Sequence, residues 1–273
     1  KKGYSWSATA RAEYAFVGWM EGLVLNAAYT YSQSKSVNDG ISAQSSSNWG
    51  RTYAVDSNNP SLSNSVYEFP HKVVASISYT KRYGLFGTNV MLLYNGYSGE
   101  HYSLTYAKGK VDENGDTYKG NSLIYIPTEE EMATMLWADD TSAAAFNSYI
   151  EEDSYLSRNR GKFAERNSHS LPFVHRLDLH IAQSFYFKKG NSISNRDQRV
   201  ELSLDVINLS NLICRSWGMS YRVSNWALSP VTVTELREVE GGYRPVYKFN
   251  GANYTVNDLA SRWHMQLGIR VVF

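Results

Sequence analysis

Apolar and polar residues alternate along seven stretches of the chain, each about ten residues long, the length a tilted strand needs to cross a bilayer. In the first, Trp6, Ala8, Ala10, Ala12, Tyr14 and Phe16 share one face, and Ser7, Thr9, Arg11 and Glu13 share the other. The second sets Leu23, Leu25, Ala27, Tyr29 and Tyr31 against Asn26, Ala28, Thr30 and Ser32. The third sets Val73, Ala75, Ile77 and Tyr79 against Lys72, Ser76, Ser78 and Thr80. In the fourth, Val90, Leu92 and Tyr94 oppose Asn89, Met91, Leu93 and Asn95, so its two faces are almost equally apolar. The fifth places Leu177, Leu179, Ile181, Phe185 and Phe187 opposite Arg176, Asp178, His180, Ala182 and Ser184. Val200, Leu202, Leu204 and Val206 oppose Arg199, Glu201, Ser203 and Asp205 in the sixth. The seventh has Trp263, Met265, Leu267, Ile269, Val271 and Phe273 opposite His264, Gln266, Gly268 and Arg270.

Connections between these stretches alternate in length. Short ones fall at about 17–22, 83–87 and 188–197, and long ones at about 35–69, 107–171 and 214–261. Period-two strands of this length, Tyr and Trp at strand ends, and alternating short and long connections predict an all-β fold, a transmembrane antiparallel β-barrel. Short turns are then periplasmic and long loops extracellular, the first strand runs toward the periplasm, and the seventh ends there with Phe273. A soluble antiparallel sandwich also alternates. Its strands rarely reach ten residues, end in aromatic girdles and alternate with loops so unequal in length.

Composition narrows the reading further. Of 273 residues, 42% are hydrophobic and 14% aromatic, which excludes a disordered chain. No stretch approaches the roughly 18 consecutive apolar residues of a spanning helix. A mean hydropathy of −0.42 is compatible with a barrel, whose interior and loops are polar. The net charge of +1 offers no basic stripe, so nucleic acid is not an expected partner. The single cysteine, Cys214, sits in no metal-ligand spacing. Bacterial single-chain barrels have an even number of strands and both termini on the periplasmic side, which seven strands cannot satisfy. The chain is therefore expected to be the C-terminal part, over 1–273, of one larger barrel domain whose upstream strands are missing.

Several blocks carry a family resemblance: Phe69-Pro70-His71-Lys72, Asn121-Ser122-Leu123-Ile124-Tyr125-Ile126-Pro127, and Tyr155-Leu156 through Arg160-Gly161 and Arg166-Asn167. Leu171-Pro172-Phe173-Val174-His175-Arg176-Leu177-Asp178-Leu179, Asp205-Val206-Ile207-Asn208-Leu209-Ser210-Asn211-Leu212, Trp217-Gly218 and the terminal Phe273 follow. In order and spacing, over nearly the whole chain, these resemble the C-terminal region of TonB-dependent outer-membrane receptors, in particular the Oar-like subgroup of Bacteroidota. The resemblance implies a barrel of about 22 strands, of which this chain supplies the last seven, and a plug that binds TonB. It also implies a Gram-negative outer-membrane location, with membrane lipid, the rest of the barrel and plug, and TonB (through the absent plug) as partners, and a surface lipoprotein as a further candidate. By the same resemblance, Gly268, Arg270 and Phe273 form the terminal signal read by the barrel-assembly machinery. An ordinary lipid-facing strand end accounts for these residues equally well.

Arg176 and Asp178 share a face with Arg199, Glu201 and Asp205 of the neighbouring strand, which suggests a ladder of opposite charges along a lumen-facing wall. Structural pairing is the leading reading of that ladder, ahead of contact with a plug or a substrate. Period two sends His175 outward, so His175-x-x-Asp178-x-His180 keeps only two metal ligands on one side. Asp112-Glu113-Asn114-Gly115-Asp116 resembles the start of a calcium loop, but Thr117 and Leu123 stand where Gly and Glu are needed. An Asn-Gly hairpin turn between Val111 and Tyr118 is the preferred reading. No nucleophile elbow or activated-nucleophile spacing occurs, so neither an enzyme nor a cofactor is expected.

Thr128 and Glu131 form a capping box that predicts a short helix over 129–137, and a second helix is expected near 142–152 with Ala143, Phe146, Tyr149 and Ile150 on one face. These suggest a folded cap over the pore. Val231 to Thr234 and Arg244 to Phe249, around Gly241-Gly242, read as an extracellular hairpin extending the sheet, and the exposed aromatics Trp217, Tyr221, Trp226 and Tyr243 are expected to pack against a partner in preference to stacking on sugar rings. The leading expectation is a receptor or transporter of unspecified ligand. The alternative is a structural or scaffolding barrel subunit of a surface complex.

Overall fold

The computed structural model describes residues 2–187 and 198–273, so the short connection expected at 188–197 lies outside the described residues. Strand makes up 49% of the chain and helix 16%, which makes the fold all-β. Seven long strands form the main sheet: β1 (Tyr4–Ala15), β2 (Leu23–Ser36), β3 (His71–Tyr83), β4 (Phe86–Tyr97), β5 (Val174–Phe187), β6 (Gln198–Ile207) and β7 (His264–Val272). They pair antiparallel in chain order, with β1 and β7 as the two edges and the short Ser63–Asn64 strand added to the end of β2. The described sheet is open. At its tight end, Gly22 has φ +96° and a Cβ there would sit 2.1 Å from the Thr80 carbonyl oxygen. Only glycine allows β2 to start so close to β3.

Register turns seven separate sequence patterns into one surface. Tyr14 lies opposite Leu25, Leu25 opposite Ile77, Ile77 opposite Leu92, and Leu92 opposite Leu179. Leu179 then faces Val206, and Val206 faces Met265. The ambiguous fourth stretch therefore joins the apolar side through Val90, Leu92 and Tyr94, because that register gives each an apolar cross-strand neighbour. Most of this face is left uncovered by the described chain, with Ile77, Leu202, Leu267 and Ile269 exposed; at its long-connection end Ser210, Trp217 and Met219 flank Tyr94, His175 and Leu177, and Val206 is buried. At its long-connection end two cross-strand pairs repeat. The Tyr29 hydroxyl lies 2.8 Å from His71 Nδ1, and the Tyr94 hydroxyl 2.7 Å from His175 Nδ1.

The three long connections do not lie loose. They build a second layer, the cap, around a five-stranded sheet in the order His169–Ser170, His101–Tyr106, Ala227–Val239, Gly242–Phe249, Leu136–Trp137. Two of its pairings, His101–Tyr106 with Ala227–Val239 and Gly242–Phe249 with Leu136–Trp137, are parallel. The expected hairpin at 231–249 does form, but in this cap sheet and not as an extension of the main one. The main hydrophobic cluster also sits in the cap, where Leu104, Ile124, Ile126, Phe146, Ile150 and Leu156 are fully buried.

Helices Glu129–Thr134 and Ser142–Glu152 occupy the predicted places, the first ending three residues earlier because Leu136–Trp137 turns extended to join the cap sheet. Thr128 Oγ1 accepts from Glu131 N at 3.2 Å and Glu131 Oε2 accepts from Thr128 N at 2.9 Å, closing the capping box. Thr128→Ala is expected to cost about 1 kcal/mol of cap stability, measurable as a lower urea midpoint at unchanged slope.

No hairpin forms at 111–118. Asp112 accepts from the Gly115 and Thr117 amides, and Asn114 from that of Asp116, so side chains take the backbone donors that a hairpin ladder would need. Asp116, which accepts from Trp49 Nε1, Ser57 Oγ, Asn121 Nδ2 and Tyr118 N, anchors this loop to its neighbours.

Candidate functional site

The polar face of the main sheet carries the charged residues singled out in the sequence, in a different arrangement from a cross-strand ladder. Pairing of β5 with β6 begins at Leu179 opposite Val206, so Asp178 lies level with Ile207, the last residue of β6, and Arg176 projects beyond it. Their ion pair is within the strand, Arg176 Nε to Asp178 Oδ1 at 3.0 Å. Arg199 and Glu201 likewise approach within β6, at 3.9 Å. Across the strands, His180 Nδ1 meets Asp205 Oδ1 at 2.6 Å, and Ser184 Oγ donates to Glu201 Oε2 at 3.1 Å. His175 stands on the opposite side, in the row of Tyr94 and Leu177, which leaves Asp178 and His180 as an incomplete ligand set. No group of three or more metal-ligating side chains occurs among the described residues.

Asp178 has a further partner. Its Oδ1 accepts from Asn208 N at 2.7 Å, where Asn208 turns left-handed at φ 57°. The Asn208 amide then donates to the Gly218 and Ser261 carbonyls at 3.0 and 2.8 Å, and its Oδ1 accepts from Ser210. Gly218 has φ +63°, and a Cβ there would lie 2.0 Å from Asn208 Oδ1. Asp178 therefore fixes the start of the last long connection. On β7, Gly268 lies opposite Ser203, Arg270 opposite Glu201, and Phe273 is 83% exposed just past the strand.

Where the polar face meets the cap, Phe69, Lys72, Asn95, Tyr97, Tyr221 and Arg222 surround a pocket of about 390 Å³. The Phe69 and Tyr97 rings pack edge to face with centroids 6.0 Å apart. Asn95 Oδ1 is enclosed and has no hydrogen-bond partner among the described residues. Aromatic surface beside an unused amide oxygen, two cations and the Glu100 carboxylate suits a hydroxyl-rich ligand. Register supplies the aromatic on β4 and the lysine on β3, since Lys72 lies opposite Tyr97. Of the four aromatics expected to meet a partner, Tyr221 packs within the chain against Tyr254, with centroids 5.1 Å apart, whereas Trp217 and Tyr243 stay exposed.

Two buried charge clusters tie the cap to this junction. Arg166 Nη1 lies 3.2 Å from Asp39 Oδ2, with both side chains buried. Asp39 Oδ1 also accepts from Ser36 and Ser65. The sequence blocks include Arg166, but nothing local marks Asp39, 127 positions away, as its partner. The second cluster centres on His169, whose Nε2 lies 3.1 Å from Asp153 Oδ2 and whose ring contacts Tyr102 and Tyr155. Burial holds the His169 imidazole below its ordinary range, partly offset by Asp153. Unfolding then takes up a proton as pH falls through the ordinary histidine range toward the lower native value, so cap stability is full above about pH 6.5 and declines below it. Urea titrations at about pH 7.5 and about pH 5.5 should show this slope, and His169→Gln should flatten it.

Comparison of the chain with protein-family models, curated proteins and solved structures yields no match.

Proposed function

We propose that this chain forms part of the wall and the external cap of an outer-membrane β-barrel receptor of the TonB-dependent type, which binds a ligand on its outer side and takes it up without chemical change. The carrying observation is the single, largely uncovered apolar face assembled in register by seven strands. Strands of 9 to 14 residues are long enough to span the hydrocarbon layer. In lipid that face is solvated, while the charged and hydroxyl-bearing face lines a wet interior. An extended apolar surface left in water would instead promote association. The sequence resemblance supplies the receptor class and the location, and the junction pocket supplies a polar, aromatic-lined place for cargo. The remaining strands and the plug belong to the rest of such a receptor.

Single-cysteine variants on a Cys214→Ser background test the wall. In intact outer membranes, a membrane-impermeant maleimide should label Asp140→Cys in the cap and spare Leu92→Cys, which only a lipid-soluble maleimide should reach. Equal labelling of both by the impermeant reagent would overturn the membrane reading. Uptake of compounds retained by the purified protein, compared in cells with and without TonB, separates the receptor from a scaffolding barrel that transports nothing.

A further inference from the structure

Within the cap, Tyr106, Tyr125, Phe163 and Tyr247 surround a second pocket, of about 530 Å³, into which Glu113 is set. Both Glu113 carboxylate oxygens are enclosed, and neither has a hydrogen-bond partner among the described residues. This is an expensive arrangement for an anion, and burial raises its pKa accordingly, with Glu113's own backbone N–H opposing the effect, the adjacent Asp112 adding to it and Lys119 opposing it. Three nearby cations are engaged elsewhere. Lys119 Nζ donates to the Lys110 carbonyl at 2.5 Å, Arg244 to the Thr134 carbonyl at 2.6 Å, and Arg237 pairs with Glu235 at 3.0 Å.

The walls indicate which kind of cation suits the carboxylate. Tyr106 and Tyr247 lie with ring centroids 6.3 Å apart, and Tyr125 and Phe163 pack edge to face at 5.1 Å. Val111, Val233 and Leu236 complete an apolar lining. A hard divalent ion needs six or more oxygen ligands, which this lining lacks, and the Asp112 oxygens already accept from the Gly115 and Thr117 amides. An organic ammonium has no such need. Its positive head is attracted by aromatic faces and by the carboxylate, and its hydrocarbon body fits the apolar remainder.

We infer that the cap binds an organic ammonium group in this aromatic pocket, with Glu113 as its counter-ion. The site lies in the cap and does not depend on where the main sheet resides or on what the barrel transports.

Calorimetric titration of the full chain in detergent with choline, its neutral carbon isostere 3,3-dimethylbutan-1-ol, and calcium tests it. Choline should bind, the isostere at least about tenfold more weakly, and calcium not at this site. Glu113→Gln should weaken choline about tenfold or more, leave the isostere unchanged, and keep or raise the melting temperature, because the side chain has no structural partner to lose. Phe163→Leu preserves apolar volume while removing an aromatic face, and should weaken choline several-fold more than it weakens the isostere. Equal affinity for choline and the isostere, an unaltered Glu113→Gln variant, or no choline binding at millimolar concentration would each overturn the inference. A loss of folding in Glu113→Gln would do so as well, by revealing a structural role for the carboxylate.

Discussion

Replacing Asp39 by alanine is expected to destabilise the fold by about 3–5 kcal/mol, the range for removing one member of a buried ion pair. The reason is what remains behind. Arg166 has a side chain only 3% exposed, and burial already holds its pKa below the ordinary arginine value against the opposing influence of Asp39. Without the carboxylate, the guanidinium keeps only Ser36 as a polar partner, and the Ser36, Ser65 and Asn167 side chains lose an acceptor. These residues tie the end of β2 to the cap, so the unfolding midpoint should fall in both regions. Removing both charges, as Asp39→Leu with Arg166→Leu, should cost less than the single Asp39 change, because no unpaired ion is left buried. Urea unfolding followed by tryptophan fluorescence measures both. A single-variant loss below about 1 kcal/mol would place the pair in the class of solvated surface bridges.

Phe146→Ala should have an effect of similar size, about 3–5 kcal/mol, by a different route. Phe146 is 1% exposed and its ring lies 5.7 Å from Phe249 and 6.1 Å from Trp137. Truncation leaves a cavity between the second cap helix and the cap sheet, and the flanking aromatics cannot close it without leaving their own contacts. Phe146→Leu, which fills most of that space, should lose much less. The damage should be confined to the cap, since the ring touches nothing on the main sheet. A calorimetric scan should therefore show the cap transition moving down while that of the strands stays in place.

The main sheet was legible because each strand is solvated differently on its two faces, and that asymmetry prints directly onto alternate residues. Even the weakly patterned Asn89 to Asn95 stretch took the orientation its valine, leucine and tyrosine suggested. The cap was legible only in its local parts. Thr128 and Glu131 announce a helix start within four residues, whereas the parallel pairing of Leu228 with Leu104 joins connections more than a hundred residues apart. The hairpin expected around Asn114-Gly115 failed because Asp112, Asn114 and Asp116 satisfy the backbone themselves. The charge ladder was misjudged for a geometric reason. Period two fixes which face a residue takes, but not how far along its neighbour it sits, and Arg176 lies past the end of β6. Asn95 and Glu113 gave no advance sign, since an unused oxygen becomes visible only when its surroundings are known.

The ion pairs within strands have a consequence for assembly. Arg11 with Glu13 and Arg176 with Asp178 make β1 and β5 electrically self-contained before any neighbour arrives, whereas β6, with Arg199, Glu201 and Asp205, carries one carboxylate that finds its partner only in His180 of β5. Either of the first two can thus be laid down next to its predecessor without carrying an unmatched charge through the process. The same economy removes charge as a ruler for β1: sliding it by two residues would preserve its pair and keep every side chain on its proper face. Elsewhere alignment is held by cross-strand contacts, Tyr29 with His71 and Tyr94 with His175 at the long-connection end, and Asp178 with the Asn208 backbone amide, His180 with Asp205 and Ser184 with Glu201 along β5 and β6. These contacts act as stops, each fixing one strand against the next.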